Sequence, residues 1–335
     1  MMFRSNRIVT FLTLFLFCCT FTLVAQDKKK LEIEDYGQWQ RITSTIYSDD
    51  GNWFAYNISL VDGDGWLMVK KVGSDSSGEH KFMHGINPAF SEDNRWAAFQ
   101  IGVSEDQREK LEEQKKQVKY NLGLMNLHSA EVDTFENIQS FEFTETGDHL
   151  LMTKYKPEDQ KTGSNDLLVH DLDTRQNQLI GNVSGHALNE EGTLLALTID
   201  ASEKLGNGVQ LLNLKNRSVT VLQSDTADFK DLTWSEEENA LAFLKSVSGE
   251  NYEDNTHRVY AYQNLTRNMQ PKIFDQSQFG TFPEGYRVVD YRDLQWSDDR
   301  ETVFLGIKEW EKKDKPEKKD ADEKEAESDS TKSEE

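Results

Sequence analysis

Cysteine is almost missing from this chain: its two copies, Cys18 and Cys19, both lie within the first 25 residues. Everything after them therefore lacks disulfides, a thiolate nucleophile and a cysteine metal site, and must hold its fold by packing alone. Local catalytic signatures are missing as well. No G-x-S-x-G elbow occurs, which removes the local mark of acyl transfer on a hydrolase fold. Neither G-x-x-x-x-G-K-[ST] nor G-x-G-x-x-G occurs, so no phosphate cradle is indicated. Positive charge is scarce: 38 Lys and Arg stand against 60 Asp and Glu, a net charge of −22. From Lys308 onward eight basic and twelve acidic residues contribute −4, leaving −18 in the body. A body this acidic repels phosphate backbones, which argues against a nucleic-acid partner.

Long apolar runs are confined to the N-terminus. Arg4 and Arg7 precede an apolar stretch over 8–24, and Ala25 supplies a small residue ahead of Gln26. This is the pattern of a secretory signal peptide over 1–25. The run barely reaches the length needed to span a bilayer. Phe17 and Cys18 stand before the two cysteines where lipidation wants a small residue. The expectation is an exported chain, periplasmic or secreted, with no membrane contact once the signal is removed.

What the sequence does have is a repeated sentence. "IYSDDGNWFAY" (46–56), "AFSEDNRWAAF" (89–99), "EFTETGDHLLM" (142–152), "ALNEEGTLLAL" (187–197), "TWSEEENALAF" (233–243) and "QWSDDRETVFL" (295–305) share one grammar. An aromatic residue or Leu is followed by Ser, Thr or Asn, then an acidic turn, then a hydrophobic run. The anchors Ser48, Ser91, Thr144, Asn189, Ser235 and Ser297 are spaced by 43, 53, 45, 46 and 62 residues. Asp, Asn and Ser cap local backbone groups, and Gly or Asn tolerates positive φ, so each unit reads as a β-hairpin. The anchor side chain is expected to satisfy backbone N–H groups of the turn, and the run after it to be a buried strand.

A second, looser pair of strand signals follows each hairpin, as in "WLMVKKV" (66–72) before "HKFMH" (80–84), or within "GVQLLNLKNRSVTVL" (208–222). Four strands in each repeat of this length is the composition of a β-propeller blade. A parallel solenoid would need shorter, more uniform repeats, and an α/β fold would need an amphipathic helix in each unit. The fold class is therefore all-β, a propeller of four-stranded blades with about six begun: 42–84, 85–138, 139–183, 184–228, 229–287 and an incomplete 288–307. With the strands of a blade named A to D, the A–B turn stays short while the B–C connection varies. The longest B–C insertion, "SEDQREKLEEQKKQVK" (104–119), is built of helix formers with Glu-to-Lys spacings of three and four and is expected to be a solvated helix.

The segment 308–335 is charge-rich and apolar-poor, and is expected to be disordered. It begins at a B–C position, which makes it a B–C insertion with strands C and D lying downstream. The expectation is a chain cut before its sixth blade is complete, since a half-built blade leaves an open edge.

Several short stretches invite a chemical reading and do not sustain it. "GNVSG" (181–185) has its serine one place too late for an elbow and is expected to be a turn between blades. His80 and His84 are four apart, a metal spacing on a helix but about 13 Å apart on a strand. "DGDG" (62–65) lacks the later ligands of a calcium loop and reads as a B–C turn. Glu190–Glu191 and Glu236–Glu237 fall in the repeated turn, where carboxylates are solvated. No catalytic, cofactor-binding or metal residue is assigned, and no cofactor is expected.

The repeats "YSDDGNWFAY" and "WSEEENALAF" resemble TolB-like, WD-related propeller repeats. With "LEIEDYGQWQRI" (31–42) ahead of them, the arrangement over 31–307 is similar to the N-terminal propeller of secreted bacterial serine peptidases of the prolyl oligopeptidase and dipeptidyl-peptidase family. That resemblance implies a C-terminal α/β-hydrolase domain with a Ser–Asp–His triad as partner, short peptides as substrate, and a gating and docking role for the propeller. None of the family's catalytic residues is carried over to this sequence; the glutamates that hold a substrate amine in the dipeptidyl-peptidase branch are not assigned, and exopeptidase specificity stays open. The competing reading is a stand-alone periplasmic TolB-like propeller acting as a protein- or ligand-binding scaffold.

Overall fold

A computed structural model describes residues 30–75, 78–236, 240–265 and 269–313. The segment 1–25 expected to be a signal peptide, Glu237 of the fifth turn and the tail beyond residue 313 lie outside the described residues. A short helix α1 (Ile33–Tyr36) leads into the first sheet, β1 (Gln40–Tyr47), β2 (Trp53–Leu60), β3 (Trp66–Lys71) and β4 (Glu79–Met83), paired in that order. The second sheet follows the same plan with β5 (Gly85–Phe90), β6 (Trp96–Ile101), β7 (Asn121–Asn126) and β8 (Val132–Phe135). Helix α2 (Glu105–Glu113) rises between β6 and β7, capped by Ser104 and with none of its residues buried, as its charge pattern leads one to expect.

The next two repeats are joined. The strands β9 (Ile138–Phe143), β10 (His149–Lys154), β11 (Asn165–Asp171), β12 (Asn177–Leu188), β13 (Leu194–Ile199), β14 (Gly208–Asn213) and β15 (Val219–Ser224) form one seven-stranded antiparallel sheet. The long β12 pairs β11 through its first half and β13 through its second, with a register shift between Val183 and Gly185. It serves as strand D of one repeat and strand A of the next. "GNVSG" therefore lies inside a strand, not in a turn: D and the next A run in the same direction and the backbone need not break.

The fifth sheet is β16 (Phe229–Trp234), β17 (Leu241–Val247), β18 (Thr256–Tyr262) and β19 (Lys272–Phe274). After it, β20 (Tyr286–Val288) pairs β23 (Ile307–Glu309), and β21 (Gln295–Trp296) pairs β22 (Val303–Phe304). These four pieces are one hairpin. Its first strand is interrupted by residues 289–294, at the level where β16 carries only a bulge between Lys230 and Thr233. Its second strand continues to Glu309, past the expected end at 307.

The core explains why strand B is apolar along its whole length. Successive side chains of a strand point to opposite faces, and the second to fifth repeats each pack their two faces against different neighbours, whereas the first sheet packs one. In β13, Leu195, Leu197 and Ile199 pack with Leu151, Leu167 and Val169 of the preceding repeat. The alternate residues Leu194 and Ala196 pack with Phe229, Leu241 and Phe243 of the following sheet. The same alternation joins Trp53 and Leu67 to Phe99 and Met125, Trp96 and Leu124 to Leu150 and Met152, and Leu244 and Val259 to Val288 and Leu294. Each seam buries several large apolar side chains, each contributing about 1.5–3 kcal/mol relative to exposure. This face-to-face stacking of four-stranded units in sequence order is the architecture of a β-propeller.

Candidate functional site

The two ends of the sheets are built differently. At one end lie the A–B turns, and the anchors do what their chemistry requires. Ser48 Oγ accepts from Trp53 N–H at 2.9 Å and donates to Asp50 Oδ1 at 2.7 Å. Ser91 Oγ accepts from Trp96 N–H at 3.0 Å and donates to Asp93 at 2.6 Å. Thr144 Oγ1 accepts from His149 N–H at 3.1 Å, Asn189 Oδ1 from Leu194 N–H at 2.7 Å, and Ser297 Oγ from Thr302 N–H at 3.1 Å. The anchors Ser48, Ser91, Thr144, Asn189 and Ser235 are all buried. The carboxylates are turn parts too: Asp50, Asp93 and Asp299 each accept a backbone N–H two residues on. Residues before the anchors stitch neighbouring sheets together. Trp234 Nε1 donates to Ala187 O at 2.9 Å, and Trp296 Nε1 donates to Thr233 O at 3.1 Å.

The opposite end carries the B–C connections, and among the described residues four cavities of about 320–540 Å³ open there, each at a seam between successive repeats. About 480 Å³ lies between the first and second sheets, lined by Trp66, Asn87, Arg108 and Tyr120. "DGDG" forms the B–C turn beside it, where Asp64 Oδ1 accepts from Glu105 N–H at 2.7 Å and Glu105 Oε2 from Gly63 N–H at 2.6 Å. His84 Nε2 lies 3.2 Å from Asp64, whereas His80 sits on β4 near the Trp53 ring. Further cavities of about 480, 540 and 320 Å³ follow along the later seams. The first two share Ser184 and His186, and the last two share Asp228 and Lys230, so they run together as a polar groove.

The seam between the fifth sheet and the last hairpin gathers the most reactive-looking groups. Ser246 and His257 stand opposite each other on β17 and β18, and Asp290 Oδ2 lies 3.7 Å from His257 Nε2. Three such residue types suggest a nucleophile, a base and an orienting acid. The geometry denies it. His257 Nδ1–H donates to Val288 O at 3.1 Å, and Nε2 faces Asp290, so neither ring nitrogen is directed at Ser246. The carbonyl fixes the tautomer and leaves Nε2 as an acceptor. Burial pushes the His257 pKa down, against the bond to Val288 and the charge of Asp290, and keeps the ring neutral. Burial alone would raise Asp290, but its hydrogen bond with Lys230 at 2.7 Å and the nearby charges hold it low.

Arg287 closes the same seam. It is 4% exposed, bonded to the Asp254 carboxylate and to Asn255 O at 2.9 Å, and faces the Trp310 ring. Trp310 in turn stacks on Tyr252 with ring centroids 4.2 Å apart. These residues escaped the sequence reading because "THRVY" and "YRVVDYRD" look like ordinary strand text. The one signal was the 62-residue spacing from Ser235 to Ser297, the longest in the series. Among the described residues no group of three or more potential ligands is placed to hold a metal, and no helix is long and apolar enough to cross a membrane.

No protein-family model matches this sequence, and no curated protein matches it. Solved structures that it resembles include the β-propeller domain of the trilobed protease from Pyrococcus furiosus, at 10% identity over 81% of this chain and 85% of that one, with a TM-score of 0.39. A prolyl endopeptidase is similar at 12% identity over 77% of this chain, with a TM-score of 0.39. TolB from Acinetobacter baumannii is similar at 14% identity over 70% of this chain, with a TM-score of 0.31. The chain spans 38% of that endopeptidase and 56% of that TolB. These likenesses are to propeller proteins and propeller-bearing peptidases, and at this level they assign no activity to the chain.

Proposed function

We propose that this chain is the non-catalytic propeller portion of an exported serine peptidase of the prolyl oligopeptidase family. In this reading it docks an α/β-hydrolase domain and gates access of short peptides to it. The sequence resemblance of the repeats supplies the family. The observation that carries the role is the one-sided elaboration of the fold. Helix α2, the long B–C connections and the seam cavities all gather at one end, while the other end is locked by repeated turns. An exposed apolar group, Ile33, Tyr36, Trp39 and Val61, lies toward that same end: Gly37 O accepts from Asp62 N–H, beside the first B–C connection. Exposed apolar clusters of this kind mark association surfaces.

The test is direct. The genomic reading frame is sequenced beyond the codon for Glu335; an in-frame G-x-S-x-G with a later His supports the proposal, and a stop codon followed by an unrelated gene contradicts it. The purified chain is expected not to cleave chromogenic Pro- or Ala-linked peptides. Turnover sensitive to serine-directed reagents would place chemistry in the propeller and overturn this reading. The alternative, a stand-alone periplasmic scaffold, draws on the polar groove, which can receive a ligand without a second domain.

A further inference from the structure

In the cavity of about 320 Å³ at the last seam the basic side chains are already spent on acidic ones. Lys230 is bonded to Asp290 at 2.7 Å, Arg287 to Asp254, and Lys308 to Glu311 at 2.7 Å. Asp228, at its edge, is held by Lys204 at 2.6 Å. Among the described residues an anionic ligand finds no free cation here, and Glu253 in the same lining adds negative charge against it. A ligand that only adds hydrogen bonds leaves the pairs intact.

Two nitrogens on side chains at least 96% buried lack a hydrogen bond there, and one of them, on His257, is open to a ligand. His257, 3% exposed, gives its Nδ1–H to Val288 and presents Nε2 as an acceptor with no hydrogen bond, Asp290 lying beyond reach at 3.7 Å. Arg287, 4% exposed, has an Nε–H with no acceptor among the described residues, though that atom is closed off from solvent. Buried polar groups are almost always satisfied, and an exception calls for an occupant. The carboxylates of Asp254 and Asp290 retain unused lone pairs. At the rim stands the ring of Tyr291, 60% exposed, a flat apolar surface beside a polar hole.

Groups that both donate and accept, on a neutral molecule with an apolar face, match this lining. We propose that the seam cavity between the fifth sheet and the last hairpin binds a neutral polyhydroxylated ligand of monosaccharide size. One hydroxyl donates to His257 Nε2, others donate to the paired carboxylates, and a C–H face lies on Tyr291. This assignment is independent of the peptidase reading, because it rests on the lining alone.

The test is titration of the full chain with D-glucose, D-galactose and D-mannose, followed by calorimetry and by the imidazole NMR signals of His257. Glucose 6-phosphate and glucuronate serve as charged counterparts and glycerol as an additive control. At least one neutral sugar is expected to bind saturably and shift the His257 signals, with its charged counterpart at least about tenfold weaker. Tyr291→Ala, at the exposed rim, is expected to weaken binding several-fold without altering the melting temperature. His257→Phe is expected to abolish it, and the rim variant carries the test if that substitution impairs folding. Absence of binding by all three sugars, equal binding of glycerol, tighter binding of the charged forms, or an effect of sugar that leaves the His257 signals unmoved would each overturn the proposal.

Discussion

The end of the sheets that bears the A–B turns and the end that bears the B–C connections are made from the same strands, yet they obey different rules. At the turn end one side-chain oxygen, five residues before the amide it accepts from, recurs in nearly identical geometry from Ser48 to Ser297. At the other end nothing recurs: a helix in the second repeat, an extended loop in the third, a Trp310 clasp after the last hairpin. The difference teaches that repetition here is a folding device. Each turn fixes the register of the hairpin behind it, and with registers fixed at one end the connections at the other are free to differ.

That contrast can be broken at the turn end first. Ser91→Ala removes the acceptor for Trp96 N–H at a fully buried position, and is expected to cost about 1–3 kcal/mol in urea unfolding. Ser297→Ala, at a half-buried anchor that water can reach, is expected to cost less. Equal losses at the two sites would show that burial is not what gives the anchor its weight. Next in size is Trp234→Phe, which deletes the indole donor to Ala187 O between two repeats. A loss of about 0.5–1.5 kcal/mol is expected beyond that of the smaller ring.

The B–C end is sharpened by pH. His257 faces Asp290, Lys230, Arg287 and Val288 O, and its folded pKa lies below the ordinary 6.5. The unfolded chain therefore takes up a proton that the folded chain resists. Stability contributed by the neutral ring is present above that value and lost as pH falls through it. The urea midpoint is expected to drop between about pH 7.5 and about pH 5.5, and His257→Gln is expected to flatten this component. Smallest of all, Glu109→Ala on helix α2 is expected to change stability by less than about 0.5 kcal/mol, since the helix buries none of its residues.

The fold was largely legible in the sequence, because the physics that builds a hairpin is local. The anchor, the acidic turn and the apolar run lie within eleven residues, and their repetition sets the number of strands between them. The boundary near 183 was not legible: whether strand D stops or flows into the next strand A depends on how two sheets splay, and β12 simply continues. The seam cavities were invisible for a related reason. Lys230, His257, Arg287 and Asp290 come from three strands and a loop spread over sixty residues, and only stacking of successive sheets brings them together. "GNVSG", the nearest thing to a nucleophile motif, resolves into Ser184 donating to Thr198 Oγ1 at 2.9 Å across the strand pair.

The proposal that the B–C end is the working surface is tested most directly by lysine acetylation footprinting, with and without the α/β-hydrolase domain proposed as its partner. Lys110, Lys161 and Lys204 stand exposed at the B–C end, and Lys215 stands exposed in a C–D turn at the opposite end. Protection of the first three with Lys215 unchanged is the expected result. Protection of Lys215 alone, or of none, would contradict it.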